Sequence, residues 1–213
     1  MRQPWRKYRT TAEDCDSLAT WFADAVDDLL REGEIVLDVK VDDQELTHRS
    51  LRNGEVMGCV SVEARPAQGC NLSYLGYMDY RLLATPELAA DYYPDGVNAA
   101  AVRRAPLVVF NRKDRLHDKL FRKALRRARL SPPTHYMPSH ETYLGMIVGG
   151  IAYGMVPDLQ SADYVESGEL VDLTPEHSVR VDLYWHCWNF PSELLDVLTQ
   201  AVVDGAREML FQS

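Results

Sequence analysis

The chain has 213 residues, 46% of them hydrophobic and 26% charged, a balance that excludes a disordered or fibrous protein and leaves room for one large domain or two small lobes with a sizeable core. Its 32 acidic and 23 basic residues give a net charge of −9, which argues against this chain clinging to nucleic acid by itself. No apolar run approaches the roughly 20 residues that span a bilayer, and the basic start is followed at 10–17 by polar residues where a signal peptide would be apolar, so a cytoplasmic protein with no membrane partner is expected.

In chain order, Leu18, Trp21, Phe22, Val26, Leu29 and Leu30 recur at helical spacing and predict an amphipathic helix over 16–31, capped by Asp16 or Ser17, with Asp24, Asp27, Asp28 and Glu32 outside. Residues 35–41 alternate like a strand. Asp42 and Asp43 open a short helix that stops at Asn53-Gly54. Strands are expected at 56–62 and 74–84, the second ending at Thr85-Pro86, a helix cap with proline in the first turn. Residues 66–71 and 92–105 read as loops. Beyond them the pattern gives a short buried strand at 107–110, a helix from Asp114 to about Ala128, and a strand at 134–137. A helix follows from His140 with Ser139 as its cap, then strands at 151–156 and 179–186, and a last helix from Pro191. Alternating elements of this kind imply an α/β chain with mostly parallel strands, whose ligands sit at strand carboxyl ends beside helix N-termini.

Charge is uneven: nine Lys or Arg lie between Arg112 and Arg129 against only Asp114 and Asp118, so a basic helix stands in an acidic protein. Cys15, Cys59, Cys70 and Cys187 show no CxxC or Cys/His spacing and read as free thiols. His48, His117 and His140 have no metal-ligand spacing, and neither GxSxG, GxGxxG nor a phosphate loop occurs. Neither metal nor cofactor is expected, and no enzyme.

The runs Asp16-Ser17-Leu18-Ala19-Thr20-Trp21-Phe22, Val41-Asp42-Asp43-Gln44 and Leu51-Arg52-Asn53-Gly54-Glu55-Val56-Met57-Gly58-Cys59-Val60 resemble the effector domain of LysR-type transcriptional regulators. Further matches are Leu75-Gly76-Tyr77-Met78-Asp79-Tyr80-Arg81, Phe110-Asn111-Arg112-Lys113-Asp114, Met155-Val156-Pro157-Asp158-Leu159 and the stretch 167–175. Together they run from about residue 10 to 208, and they look most like the lysine- and arginine-responsive ArgP/LysG branch. The resemblance implies a type 2 periplasmic-binding-protein-like fold, with two Rossmann-like lobes joined by two crossover strands and a cleft between them. By analogy lobe I takes 1–83 and 186–213, and lobe II takes 84–185. Family members carry an N-terminal winged helix-turn-helix, and nothing of that size precedes Thr10, so DNA contact is expected only through a domain this chain lacks. The polar stretch 8–14, where the family has an apolar first strand, predicts a frayed edge there.

A basic amino acid has a carboxylate and cationic groups, so its site needs donors and acids. Ser17, Ser61 and Ser139 are candidate donors, and Asp16, Asp42, Asp43, Glu63, Asp114 and Glu141 candidate acceptors. Ser17 and Ser139 also read as simple caps, and each acid as a helix-dipole or surface carboxylate. The family's antiparallel dimers imply a homodimer in which helix 16–31 meets helix 114–128 of a second copy, acidic face near basic face. A stand-alone solute-binding protein of the same fold is the alternative, disfavoured by the absence of a signal peptide.

Overall fold

The structure, a computed structural model, describes residues 6–12, 15–31, 35–41, 50–126 and 130–212. They fall into two compact units, the first built from 1–78 and 181–213, the second from 79–180. Two strands carry the chain from one unit to the other. The expected lobe limits, at 83 and 186, lie within those same strands.

The first unit opens with β1, Arg6–Ala12. A helical passage, α1, follows, made of Cys15–Ser17, a π turn Leu18–Phe22, Ala23–Ala25 and Asp27–Arg31. Strand β2, Ile35–Val41, lies parallel to β1 and pairs with all seven of its residues. The polar first strand is therefore complete rather than frayed. Backbone pairing on both sides of β1 supplies what side-chain hydrophobicity does not: Thr10, Thr11 and Ala12 also pair in parallel with Gly58, Cys59 and Val60 of β3, Gly58–Ser61. The stretch 42–49, and with it the expected helix start at Asp42 and Asp43, lies outside the described residues.

Strand β4, Cys70–Ala84, is 15 residues long and leads into the second unit. There α2, Pro86–Tyr92, starts as expected, with Thr85 Oγ1 accepting the Leu88 N–H at 3.3 Å and proline in its first turn. The expected loop at 92–105 contains a turn of helix, α3, Ala99–Val102, capped by Asn98, whose Oδ1 accepts two N–H groups at 3.0 Å each. Then come β5, Leu107–Val109; α4, Leu116–Leu125; β6, Thr134–Tyr136; α5, His140–Val148; β7, Gly154–Pro157; α6, Asp158–Glu166; and β8, Val171–Asp172. Strand β7 starts later than its apolar pattern suggests. Gly150 turns the chain at φ +68° and leaves Ile151 exposed at 54%.

Strand β9, Val179–Trp188, returns to the first unit, and α7, Glu193–Met209, closes it, capped by Ser192 at 3.3 Å to the Leu195 N–H. Strand order in the first unit is β2-β1-β3-β9. In the second, β5 lies parallel to β6 and β4 antiparallel to both β7 and β8. The expectation of mostly parallel strands fails where β4 and β9 enter, because each crossing strand runs against its sheet neighbours.

Trp21, Phe22, Val26, Trp185, Leu198 and Val202 are buried in the first unit. The second unit centres on Leu83, Val108, Tyr143, Ile147, Val156 and Leu170. Cys59 and Cys187 are buried free thiols and Cys70 a half-buried one, and burial pushes the thiols of Cys70 and Cys187 up from the usual thiol value. After α7, Phe211 exchanges two backbone bonds with Tyr77 of β4, at 2.9 and 3.2 Å, and the Gln212 amide donates to the Leu75 carbonyl at 3.1 Å. Gly76, between them, has φ +134°, and a Cβ there would come within 2.7 Å of the Phe211 carbonyl oxygen.

Candidate functional site

In each unit, parallel pairing brings strand carboxyl ends together, and the expected site residues divide between the two sets of ends. In the first unit β1, β2 and β3 end side by side, gathering the chain that leads to Asp16 and Ser17 and the turn that holds Ser61 and Glu63. Asp42 and Asp43 follow β2 directly and lie outside the described residues.

Ser17 is fully buried and already helical, φ −58° and ψ −44°, and makes no capping bond, so the expectation that it caps the helix is corrected. Asp16 is half-buried, and its carbonyl accepts the Thr20 hydroxyl at 2.6 Å. Ser61 is 1% exposed and its Oγ accepts the Glu63 N–H at 3.0 Å, bending the chain sharply at the end of β3. Glu63 is exposed, with a carboxylate oxygen taking the Arg65 N–H at 3.2 Å. Its carbonyl lies 2.9 Å from Nε2 of His186, which is fully buried on β9. His186 thus donates to the turn and fixes its backbone, a role the sequence reading passed over because the residue sits in a strand far along the chain.

In the second unit β5 pairs in parallel with β6, and Leu107 also bridges Tyr153 in parallel just before β7. The ends of these strands carry Asn111 to Arg115, Ser139 to Glu141, and the start of α6. Asn111 Oδ1 accepts the N–H groups of Lys113 at 2.7 Å and Asp114 at 3.1 Å, and Asp114 Oδ1 accepts that of Leu116 at 2.9 Å. Asp114 is therefore spent in part on starting α4, which begins two residues later than expected. Ser139 holds the cap position of α5 as expected, but its hydroxyl bonds Thr142 Oγ1 at 3.1 Å instead of a backbone N–H. Glu141 is exposed in the first turn of α5. His140 Nε2 meets the Gln160 side chain, tying α5 to α6.

One pair at this end was not singled out from the sequence. The Arg112 guanidinium lies over the ring of Tyr136, 4.3 Å from its centroid. In the sequence Arg112 is one cation of the basic stretch 112–129, and only the parallel register of β5 and β6 puts Tyr136 beside it.

The second unit also has a cavity of about 460 Å³ lined by Thr85, Glu87, Asp91, Tyr92, Pro106 and Ile151, among others. It borders the residues that precede β5 and β7, so it opens at the amino ends of those strands, away from Ser139 and Asn111, and none of the expected site residues lines it. Among the described residues no cluster of His, Cys, Asp or Glu could hold a metal ion, and none of their helices is long and apolar enough to cross a membrane.

The profile of the LysR substrate binding domain matches residues 16–207. The HTH-type transcriptional regulator ArgP of Pseudomonas aeruginosa (strain UCBPP-PA14) is 39% identical over 199 residues, 93% of this chain and 66% of that protein. The crystal structure of ArgP from Mycobacterium tuberculosis superposes with a TM-score of 0.91 at 34% identity, covering 98% of this chain and 70% of that one. Full-length LysG from Corynebacterium glutamicum with bound effector Arg gives 0.85 at 30% identity, over 96% and 69% of the two chains. The chain thus spans about two thirds of the length of these relatives. They are transcriptional regulators rather than enzymes, and they share the α/β fold described above. The chain belongs to the LysR substrate-binding-domain family, in the branch of the ArgP and LysG regulators.

Proposed function

We propose that this is the effector-sensing part of a cytoplasmic transcriptional regulator, that its effector is lysine or arginine, and that binding is transmitted to DNA contact made elsewhere in the full-length protein. The observation that carries this reading is the likeness, over nearly the whole chain, to a LysG structure holding arginine as its effector. The chemistry at the strand ends supports this in each unit: Glu63 in the first and Glu141 in the second are exposed acids for ammonium or guanidinium, and in the second the hydroxyl of Ser139 can donate to a carboxylate. Asp16, Ser17, Asp42, Asp43, Ser61 and Asp114 complete the proposed set. An effector acts only through unequal affinity for two arrangements of the regulator, so the response is set by how differently these groups reach the ligand in each.

The proposed assembly is a homodimer in which α1 of one copy meets α4 of the other. Asp24 and Asp28 are exposed on α1, and Lys119, Arg122 and Lys123 are exposed on α4.

Isothermal titration with lysine, arginine and a set of neutral amino acids tests the ligand. Saturable heat with the basic amino acids and none with the neutral ones is expected. Equal response to both sets, or to neither, overturns the assignment and leaves the family membership intact.

A further inference from the structure

We propose that Arg112, seated on the ring of Tyr136, is the donor that receives a carboxylate of the small-molecule effector; this rests on the reading of the strand ends as the effector site. Four observations carry it.

An aromatic ring attracts a guanidinium through its quadrupole but offers no lone pair of the usual kind, so the N–H fork of an arginine held this way keeps its capacity for a carboxylate. Arg112 differs in this from other cations of the second unit. Arg81 is committed to Asp158 at 2.7 Å and Asp172 at 3.2 Å, Arg115 reaches Asp118 at 3.4 Å, and Lys123 donates to the Ser178 carbonyl at 3.1 Å. Among the described residues no carboxylate pairs with Arg112, whose guanidinium rests on Tyr136.

The backbone beneath it is fixed. Asn111 Oδ1 accepts the N–H groups of Lys113 and Asp114 at 2.7 and 3.1 Å, and Asp114 Oδ1 accepts that of Leu116 at 2.9 Å. With the main chain held on both sides and the side chain resting on a ring, little freedom is left to lose on binding.

The location is the one at which α/β sheets take ligands. Arg112 follows β5 and Tyr136 ends β6, two parallel strands paired at Val109 and Tyr136. The exposure is also right: both side chains are open, Tyr136 at 43%, so neither is part of the core and the pair has no packing duty to explain it.

The charge sign gives the ligand an orientation. A cationic side chain is repelled from Arg112, so a basic amino acid must turn its carboxylate toward Arg112 and its cationic groups away from it. A guanidinium and a carboxylate meet in two parallel N–H···O bonds, which fixes direction as well as strength.

The test is isothermal titration of the wild-type chain and the variants Arg112→Gln, Arg112→Lys, Tyr136→Phe and Tyr136→Leu. The probes are lysine, arginine, their carboxylate-free counterparts cadaverine and agmatine, and a panel of neutral amino acids and short dicarboxylates. Arg112→Gln should weaken lysine and arginine by roughly tenfold to a hundredfold, the loss of one charge-assisted contact. Arg112→Lys should fall between, Tyr136→Phe should match wild type, and Tyr136→Leu should weaken several-fold, while the two carboxylate-free amines bind Arg112→Gln as they bind wild type. Unchanged or tighter lysine and arginine binding by Arg112→Gln overturns the proposal, as does equal loss of the amines. If wild type ignores lysine and arginine but takes another carboxylate through Arg112, the basic-amino-acid reading falls and this one stands. If no carboxylate of the panel binds wild type, both fall. Melting temperatures without ligand should be alike for all variants, since both side chains are exposed.

Discussion

Tyr143 shows how a single hydroxyl can hold a strand end. Its OH donates to the Met155 carbonyl at 2.8 Å and accepts the Met155 N–H at 3.0 Å, from α5 across to β7, with all three groups buried. Both backbone groups of Met155 depend on it, so Tyr143→Phe strands a donor and an acceptor at no gain in packing. We expect a loss of about 2 to 4 kcal/mol, read from urea unfolding, given that one stranded buried polar group costs about 1–3 kcal/mol. His117 makes a second prediction. It is buried on α4 against Phe121, and burial lowers its pKa from the ordinary 6.5, although Asp118 at 3.6 Å and Asp114 pull it up and Arg115 adds to the lowering. The unfolded chain therefore takes up this proton first as pH falls. Stability from the neutral ring is present above about pH 6.5 and is lost as pH drops through that value toward the lower folded one. His117→Gln should flatten the pH dependence of the urea midpoint between pH 7.5 and 5 relative to wild type. A curve of unchanged slope would show that Asp118 and Asp114 offset the burial.

Helix α1 and helix α7 meet where both have small residues. A Cβ on Gly205 would lie 2.5 Å from the Ala25 Cα, so the helices are in backbone-to-backbone contact at that point. Gly205→Ala gains helix propensity of about 1 kcal/mol but must push the helices apart, and overpacking of a tight site costs about 1–3 kcal/mol. We expect net destabilisation by about 1 kcal/mol, seen as a lower thermal midpoint, with Gly205→Val worse. Nothing in the one-dimensional pattern announces this contact, because a glycine in a helix reads as a weakness until its neighbour is known. The same limit explains which elements were legible. Helices α4, α5 and α7 and strand β5 follow from apolar spacing, with Ser139 marking the start of α5 and Pro191 that of α7. Strand β1 does not, because it is held by backbone pairing to β2 and β3. Helix α6 escapes notice for a related reason: its one buried residue, Ser161, is polar and satisfies its hydroxyl on the Pro157 carbonyl at 3.1 Å.

At the scale of the whole molecule, charge is sorted by helix. The acids of α1 and the bases of α4 lie on exposed faces in different units of the chain, and an electrostatic contribution to the proposed dimer would be screened over about 8 Å at physiological salt. Sedimentation velocity across 50 to 500 mM salt, roughly threefold in Debye length, should show association weakening as salt rises, and Asp24→Lys with Asp28→Lys should weaken it at low salt. A dimer indifferent to both would place the interface elsewhere. The candidate site was legible only as a set of turns. Ser17, Ser61, Ser139 and Asp114 could be placed at strand ends by pattern alone, but which polar groups are already occupied by the fold is decided by geometry: Ser61 and Asp114 bond backbone N–H groups, whereas Arg112 rests on an aromatic ring.

The backbone exchange between Phe211 and Tyr77 bears on the order in which this chain can be assembled. The second unit is one unbroken stretch, 79–180, and has all its residues once position 180 has left the ribosome. The first cannot finish then. Its strand β4 lacks the bonds that Phe211 makes at Tyr77 and Gln212 makes at Leu75, and Gly76 lacks the segment that fills its open side, until residues 210–212 arrive. The residues of the second unit are thus together before those of the first, which spans both ends of this stretch of chain. Removing 210–212 should therefore loosen the first unit at β4, seen as a lower urea midpoint.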